Sequence, residues 1–195
     1  MDSSRSRIGF ILAAAGFYGL ILAASEASSR LWPHTVGYGW IGPTPWPHHL
    51  AWGLLAGLPV AVLSLVFAAR TRAGKRLIGL LGEVLDGIPV WGALLLSLTA
   101  GLAEEAVFRG TLWTLIGSAW GDTAALAGTS LLFGAAHGLF RGRFLTWSVF
   151  ALVTGVMLGC LRMVSGGVLA PAVAHAVIDA VNIPLVIRLY REGRP

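Results

Sequence analysis

The chain has 195 residues, of which 56% are hydrophobic and only 12% charged, with a mean hydropathy of +0.76. That composition excludes an ordinary soluble domain and fits an integral membrane protein. The formal net charge of +5 comes from Arg and Lys scattered near the ends of apolar runs, which reads as membrane orientation rather than nucleic-acid binding.

Arg5 and Arg7 precede an apolar run from Ile8 to Ala24. A secretory signal has the same outline, but the run is long for one, so a retained first membrane helix is expected. From Ser25 to Pro47 the chain holds Trp32, Pro33, Tyr38, Trp40, Pro43, Pro45, Trp46 and Pro47. Proline prevents a continuous helix, and Trp and Tyr favour the headgroup zone. His34, His48 and His49 lie in or beside this loop and read as interfacial residues rather than metal ligands. Leu50 to Ala69 is the second span. Arg70, Arg72, Lys75 and Arg76 follow as the densest basic cluster, then Leu77, Leu81, Val84 and Leu85 at helical spacing, with Glu83 and Asp86 off that stripe. This predicts a short amphipathic helix on the membrane surface.

The third span starts near Ile88 and runs to about Ser118. Gly121 and Asp122 make a turn, and Asp122 with Thr123 can cap the next helix. The fourth span ends near Leu139 and contains Phe133 and His137, with Arg141 and Arg143 in the loop beyond. The fifth covers about Phe144 to Leu161, where Gly155 and Gly159 permit close helix contact. Its Cys160 is the only cysteine, which excludes a disulfide framework and leaves a packing role. Ser165, Gly166 and Gly167 turn the chain into a sixth span, Val168 to Leu189, holding His175, Asp179 and Asn182. Pro171 suits its first turn, and Pro184 predicts a kink. The expectation is an all-α polytopic membrane bundle of about six transmembrane helices, forming one domain over residues 1–195.

The basic residues test this map. One side receives Arg5, Arg7, Arg70, Arg72, Lys75, Arg76, Arg141, Arg143, Arg188, Arg191 and Arg194; the other receives Arg30 and Arg162, and Arg109 lies within a span. That asymmetry puts both termini in the cytoplasm, for a protein expected in a bacterial inner membrane.

Glu104, Glu105 and Arg109 sit in a stretch otherwise apolar from Ile88 to Trp120. Ionised groups at membrane depth cost several kcal/mol unless they are paired or placed in a wet cavity. On a helix Glu105 and Arg109 are four apart and neutralise each other. Glu104 is rotated about 100° away and lacks that partner. A paired acid beside an unpaired one suggests a structural clamp beside a reactive group.

Glu104 precedes the turn near Gly121 by about as many residues as His137 follows it, so both lie roughly 20 Å below that turn. His175 and Asp179 are one turn apart on one face of the sixth span, and Asn182 shares it. Polar groups from three spans thus converge at one depth. The chemistry that fits is water activation. A carboxylate in an apolar site acts as general base, a histidine beside it holds the water, and a second histidine stabilises a developing oxyanion. The same Glu104, His137 and His175 equally suit Zn²⁺, and no metal is assigned at this point. Intramembrane Glu, His and Asp also make proton relays, so a proton- or ion-coupled transporter is the main rival. A bacteriocin-immunity or scaffold protein that keeps the fold without catalysis is another.

Glu-Glu-Ala-Val-Phe-Arg-Gly at 104–110 resembles the first motif of the CPBP family of intramembrane proteases, also called the ABI family, which includes CAAX prenyl endopeptidases and bacteriocin-processing enzymes. Phe133 to His137 is similar to its second motif, Phe-x-x-x-His, and His175 to Asp179 to its third, His-x-x-x-Asn. The resemblance spans about residues 93–182. It implies that Glu104 and His137 activate water and that His175 with residue 179 forms the oxyanion site. It implies supporting roles for Glu105 and Arg109. Both metal-dependent and metal-free glutamate mechanisms are ascribed to the family. Position 179 departs from the pattern, being Asp where Asn is common. An ionised Asp179 repels an oxyanion, so it must be protonated, orient His175 or bind a metal, and Asn182 is available for the amide role. The implied partners are the lipid bilayer and a membrane-anchored or lipidated peptide: a prenylated tail, a peptide precursor or a C-terminal sorting signal.

Overall fold

In the computed structural model, which describes residues 3–138 and 142–193, every regular element is a helix. Side chains are described from residue 6 onward, so the expected span end at Leu139 and the side chains of Arg5, Arg141 and Arg194 lie outside the described residues. The elements are α1 Ser3–Leu31, α2 Pro33–Val36, α3 Trp46–Arg70, α4 Arg72–Leu85 and α5 Val90–Glu105. A π-helix Ala106–Leu112 leads into α6 Trp113–Ala136. A 3₁₀ turn Gly142–Phe144, α7 Leu145–Ser165 and α8 Leu169–Glu192 complete the chain. Apolar runs become helices because in lipid each backbone amide must find its partner within the segment.

Among the described residues, five helical stretches are long and apolar enough to cross a membrane. One of them, Val90–Ala136, has 47 residues, or about 70 Å of helix against a core roughly 30 Å thick. It folds back on itself at Gly121, whose φ of 81° only glycine adopts without strain. A side chain at Gly128 would meet Ile116 at 3.1 Å, and Trp113 Nε1 donates to Asp122 Oδ1 at 3.3 Å, so the two halves pack side by side. Split at Gly121, the described residues give six apolar helical segments. Asp122, expected as a helix cap, accepts this indole N–H.

Small residues set the packing, as they do where lipid competes equally for apolar surface. Gly53 and Gly57 of α3 lie against Ala170 and Ala174 of α8, and Gly101 of α5 lies against Ala172 and Ala176. Thus α8 is clasped between α3 and α5. Gly159 of α7 packs against Leu126 and Trp113, and Gly155 against Arg109, the close contacts its spacing predicted. Pro184 lies inside α8, which continues to Glu192, and Pro59 lies inside α3.

Two expectations need correction. The apolar stripe of α4, expected to face the membrane surface, turns largely toward the bundle: Leu77, Leu81 and Leu85 line a large, half-open cavity, while Val84 stays half exposed. Thr71 caps this helix by accepting from Gly74 N at 2.9 Å. His49, expected at the interface, is fully buried. Its Nε2 lies 3.3 Å from the Gly42 amide and 3.1 Å from the Thr44 carbonyl, pinning the Pro-rich loop. That loop in turn accepts the first amides of the last helix, Val168 N on Gly39 O and Leu169 N on Trp40 O.

Candidate active site

The first motif straddles the junction of α5 and the π-helix. Glu105 and Arg109 are both fully buried, and Arg109 Nη1 donates to Glu105 Oε1 at 2.9 Å. Arg109 Nη2 donates to Gly155 O at 2.8 Å, and its guanidinium lies 4.6 Å from the Phe133 ring centroid. Two charges deep in an apolar bundle are thus paired with each other, with a carbonyl and with a π-face. The wider π turn loosens the backbone ladder, and neighbours take up its carbonyls. Ser25 Oγ donates to Ala106 O at 3.0 Å and Arg162 Nε to Arg109 O at 3.1 Å. Arg162 was counted on the outer side, so part of that side's small positive charge is used inside the fold.

Glu105 also holds a third group: His175 Nδ1 donates to its Oε1 at 3.0 Å. The other ring nitrogen of His175 faces Asp179 Oδ2 at 3.5 Å. His175 is therefore held between two carboxylates, one on α5 and one a turn along its own helix.

Glu104 points the other way. Tyr18 of α1 donates its hydroxyl to Glu104 Oε1 at 3.1 Å. Glu104 Oε2 is buried, has no hydrogen-bond partner among the described residues, and lies 3.8 Å from His137 Nε2. His137 closes α6, and its Nδ1 donates to Phe133 O at 2.7 Å. That bond fixes the tautomer: in the neutral ring Nε2 carries the lone pair and faces Glu104. A separation of 3.8 Å is too long for a good direct hydrogen bond, and both atoms are within reach of a third polar group in the cavity. Phe133 is buried between these parts, its ring centroid 4.5 Å from that of His137 and 5.6 Å from that of His175.

Glu104, His137, His175, Asp179 and Asn182 all line one cavity of about 1210 Å³, together with Tyr18, Ser64, Phe108, Trp147 and the inward face of α4. Asn182 accepts from Ser64 Oγ at 3.0 Å. The candidates from three spans are brought together; Glu105 and Arg109 lie behind the cavity wall rather than on it. Sequence reasoning missed Tyr18, Trp147 and Ser64. For Tyr18 a signal existed: Ile11, Tyr18 and Ser25 recur every seven residues, a stripe on one face of α1.

Of the three residues considered for zinc, His175 has both ring nitrogens turned toward carboxylates: Nδ1 is taken by Glu105 and Nε2 faces Asp179. Among the described residues no group of three or more His, Cys, Asp and Glu is arranged to hold a metal ion.

The fold and this convergence define a class: an integral membrane protein whose ionisable side chains meet in an apolar cavity within the bundle. Residues 86–181, just under half the chain, match the family described as Type II CAAX prenyl endopeptidase Rce1-like. The matched region carries the candidate site, and its family is the one the three motifs resembled. Over 90 residues the chain is 36% identical to a protein of Bacillus subtilis (strain 168) named "Uncharacterized protein YpbD". The matched region covers 45% of this chain and 42% of that relative, so the chain spans less than half the length of the curated protein it matches. No solved structure matches the chain significantly.

Proposed function

We propose that this protein is an intramembrane endopeptidase that hydrolyses a peptide bond beside a membrane-embedded or lipidated segment, using water activated by Glu104 and His137. One observation carries the reading: Glu104 Oε2 and His137 Nε2 stand 3.8 Å apart on the wall of a large, mostly apolar cavity. A water that donates one hydrogen to each leaves its oxygen lone pairs free for a carbonyl carbon. Glu104 takes the proton as the hydroxyl adds, then delivers it to the departing amide nitrogen. In its doubly protonated form His175 donates from Nδ1 to Glu105 and has Nε2–H to share between Asp179 and the oxyanion. The apolar lining suits the lipid-like part of the substrate. In this reading both termini face the cytoplasm of a bacterial inner membrane, and residues 93–182 form the catalytic core. The purified protein in proteoliposomes, given prenylated, precursor-type and C-terminally anchored peptides, is expected to cleave at least one class. Cleavage of none by folded protein would overturn the reading.

Asp179 and the metal question share a second test. With Asp179 orienting His175, Asp179→Asn is expected to retain activity within about tenfold of wild type, because an amide oxygen also accepts from an imidazole N–H. Chelators are expected to leave the wild type active. Loss of activity in Asp179→Asn, together with stoichiometric zinc by elemental analysis of the wild type, would overturn the metal-free mechanism.

A further inference from the structure

The first helix lies outside the family match, which begins at residue 86, yet one of its side chains touches the reacting carboxylate. We infer that Tyr18 is a positioning residue for the hydrolysis, holding Glu104 so that Oε1 is occupied and Oε2 alone faces His137. The inference rests on the protease reading above and extends its machinery to α1.

The helix geometry supports it. α1 and α5 run parallel: Ile11 packs against Gly92, Tyr18 meets Glu104, and Ser25 bonds Ala106 O and Thr111 Oγ1. Both sequence positions rise together along the contact, so the seven-residue stripe of α1 is in register with the motif. Ser25 fixes that register at the π-helix with bonds of 3.0 and 2.7 Å. Tyr18 therefore arrives at Glu104 by construction of the interface.

The chemistry supports it as well. The two oxygens of Glu104 have different surroundings. Oε1 accepts from Tyr18 at 3.1 Å, while Oε2 is buried without a hydrogen-bond partner and is the atom nearest His137. A carboxylate on a free side chain rotates about its last torsion and presents either oxygen. A phenol bonded to one oxygen removes that freedom and gives the buried charge a charge-assisted hydrogen bond. Phe17 and Ile21, the cavity-lining neighbours of Tyr18 on α1, offer no side-chain donor to replace it.

The test compares wild type with Tyr18→Phe, Glu104→Ala and the double variant. Tyr18→Phe keeps the ring and removes only the hydroxyl. Its kcat is expected to fall roughly 10–100-fold with KM within about twofold, because the base is misplaced while the cavity is intact. Its melting temperature is expected to drop by about 3 °C or more in the wild-type background, and by much less when Glu104 is already alanine. Unchanged kcat, or a thermal penalty that persists in full without Glu104, would overturn the inference. A wild type that cleaves no peptide would bring down the protease reading and the catalytic half of this one. The melts, which need no cleavage, would still decide whether Tyr18 holds Glu104.

Discussion

Glu104→Gln is expected to lower peptide cleavage at least about 10³-fold while leaving folded protein in the membrane. The amide keeps the shape of the carboxylate and still accepts from Tyr18, so the contact at 3.1 Å survives. What it loses is the ability to take a proton from water at Oε2, the oxygen facing His137 Nε2. His137→Ala removes the second acceptor of that water, and His175→Ala removes the donor proposed for the oxyanion; each is expected to abolish detectable cleavage. Residues that act as one unit give strongly non-additive losses, so the Glu104→Gln, His137→Ala double variant is expected to be no slower than the worse single one. Turnover counted per folded protein in proteoliposomes checks this. Near-normal turnover of Glu104→Gln would mean that another group activates the water, and a rise in KM alone would mean that Glu104 binds substrate instead.

Much of this architecture is legible in the residues, for reasons that also mark where reading stops. Long apolar runs admit only helices in lipid, and Gly121-Asp122 interrupts the one run too long for a single pass. The matching offsets of Glu104 and His137 from that turn are a simple consequence of helical rise, and they put the two side chains opposite each other. The Glu105–Arg109 pair follows from i,i+4 spacing, which the start of the π-helix does not spoil. Four features needed the fold. Glu105 also bonds His175, a contact 70 residues apart in sequence, because α5 and α8 approach closely at Gly101. Tyr18 looked like one aromatic in an anonymous first helix, since its partner depends on which helix lies beside α1. The stripe of α4 fits a surface helix as well as a cavity wall, because an amphipathic pattern states that a face is covered and not by what. The π-helix itself is invisible in local composition: Ala106–Leu112 reads like any apolar helical turn.

Glu105→Gln and Arg109→Leu are expected to destabilise the protein far more than Glu104→Gln does. Both side chains of the Glu105–Arg109 pair have no exposed surface. Removing one charge of a buried pair leaves the other uncompensated, which costs roughly 3–5 kcal/mol. Here the loss spreads further. Oε1 of Glu105 serves Arg109 at 2.9 Å and His175 at 3.0 Å, so an amide there weakens two charge-assisted bonds at once. Arg109→Leu frees Gly155 O, removes the guanidinium from the Phe133 face, and leaves Glu105 ionised beside His175 alone. Glu104 is different in kind. It has one hydrogen bond, to Tyr18, and its second oxygen faces a cavity rather than a partner charge, so neutralising it isosterically removes little. Thermal melts in one detergent are expected to show drops on the order of 10 °C for Glu105→Gln and Arg109→Leu, and a change of a few degrees in either direction for Glu104→Gln. Equal or reversed shifts would show that the clamp and the base are assigned to the wrong glutamates. Cleavage by Glu105→Gln measured below its melting range adds the second half of the argument. Glu105 orients His175 through Nδ1, so turnover there is expected to fall with the clamp even while the chain stays folded.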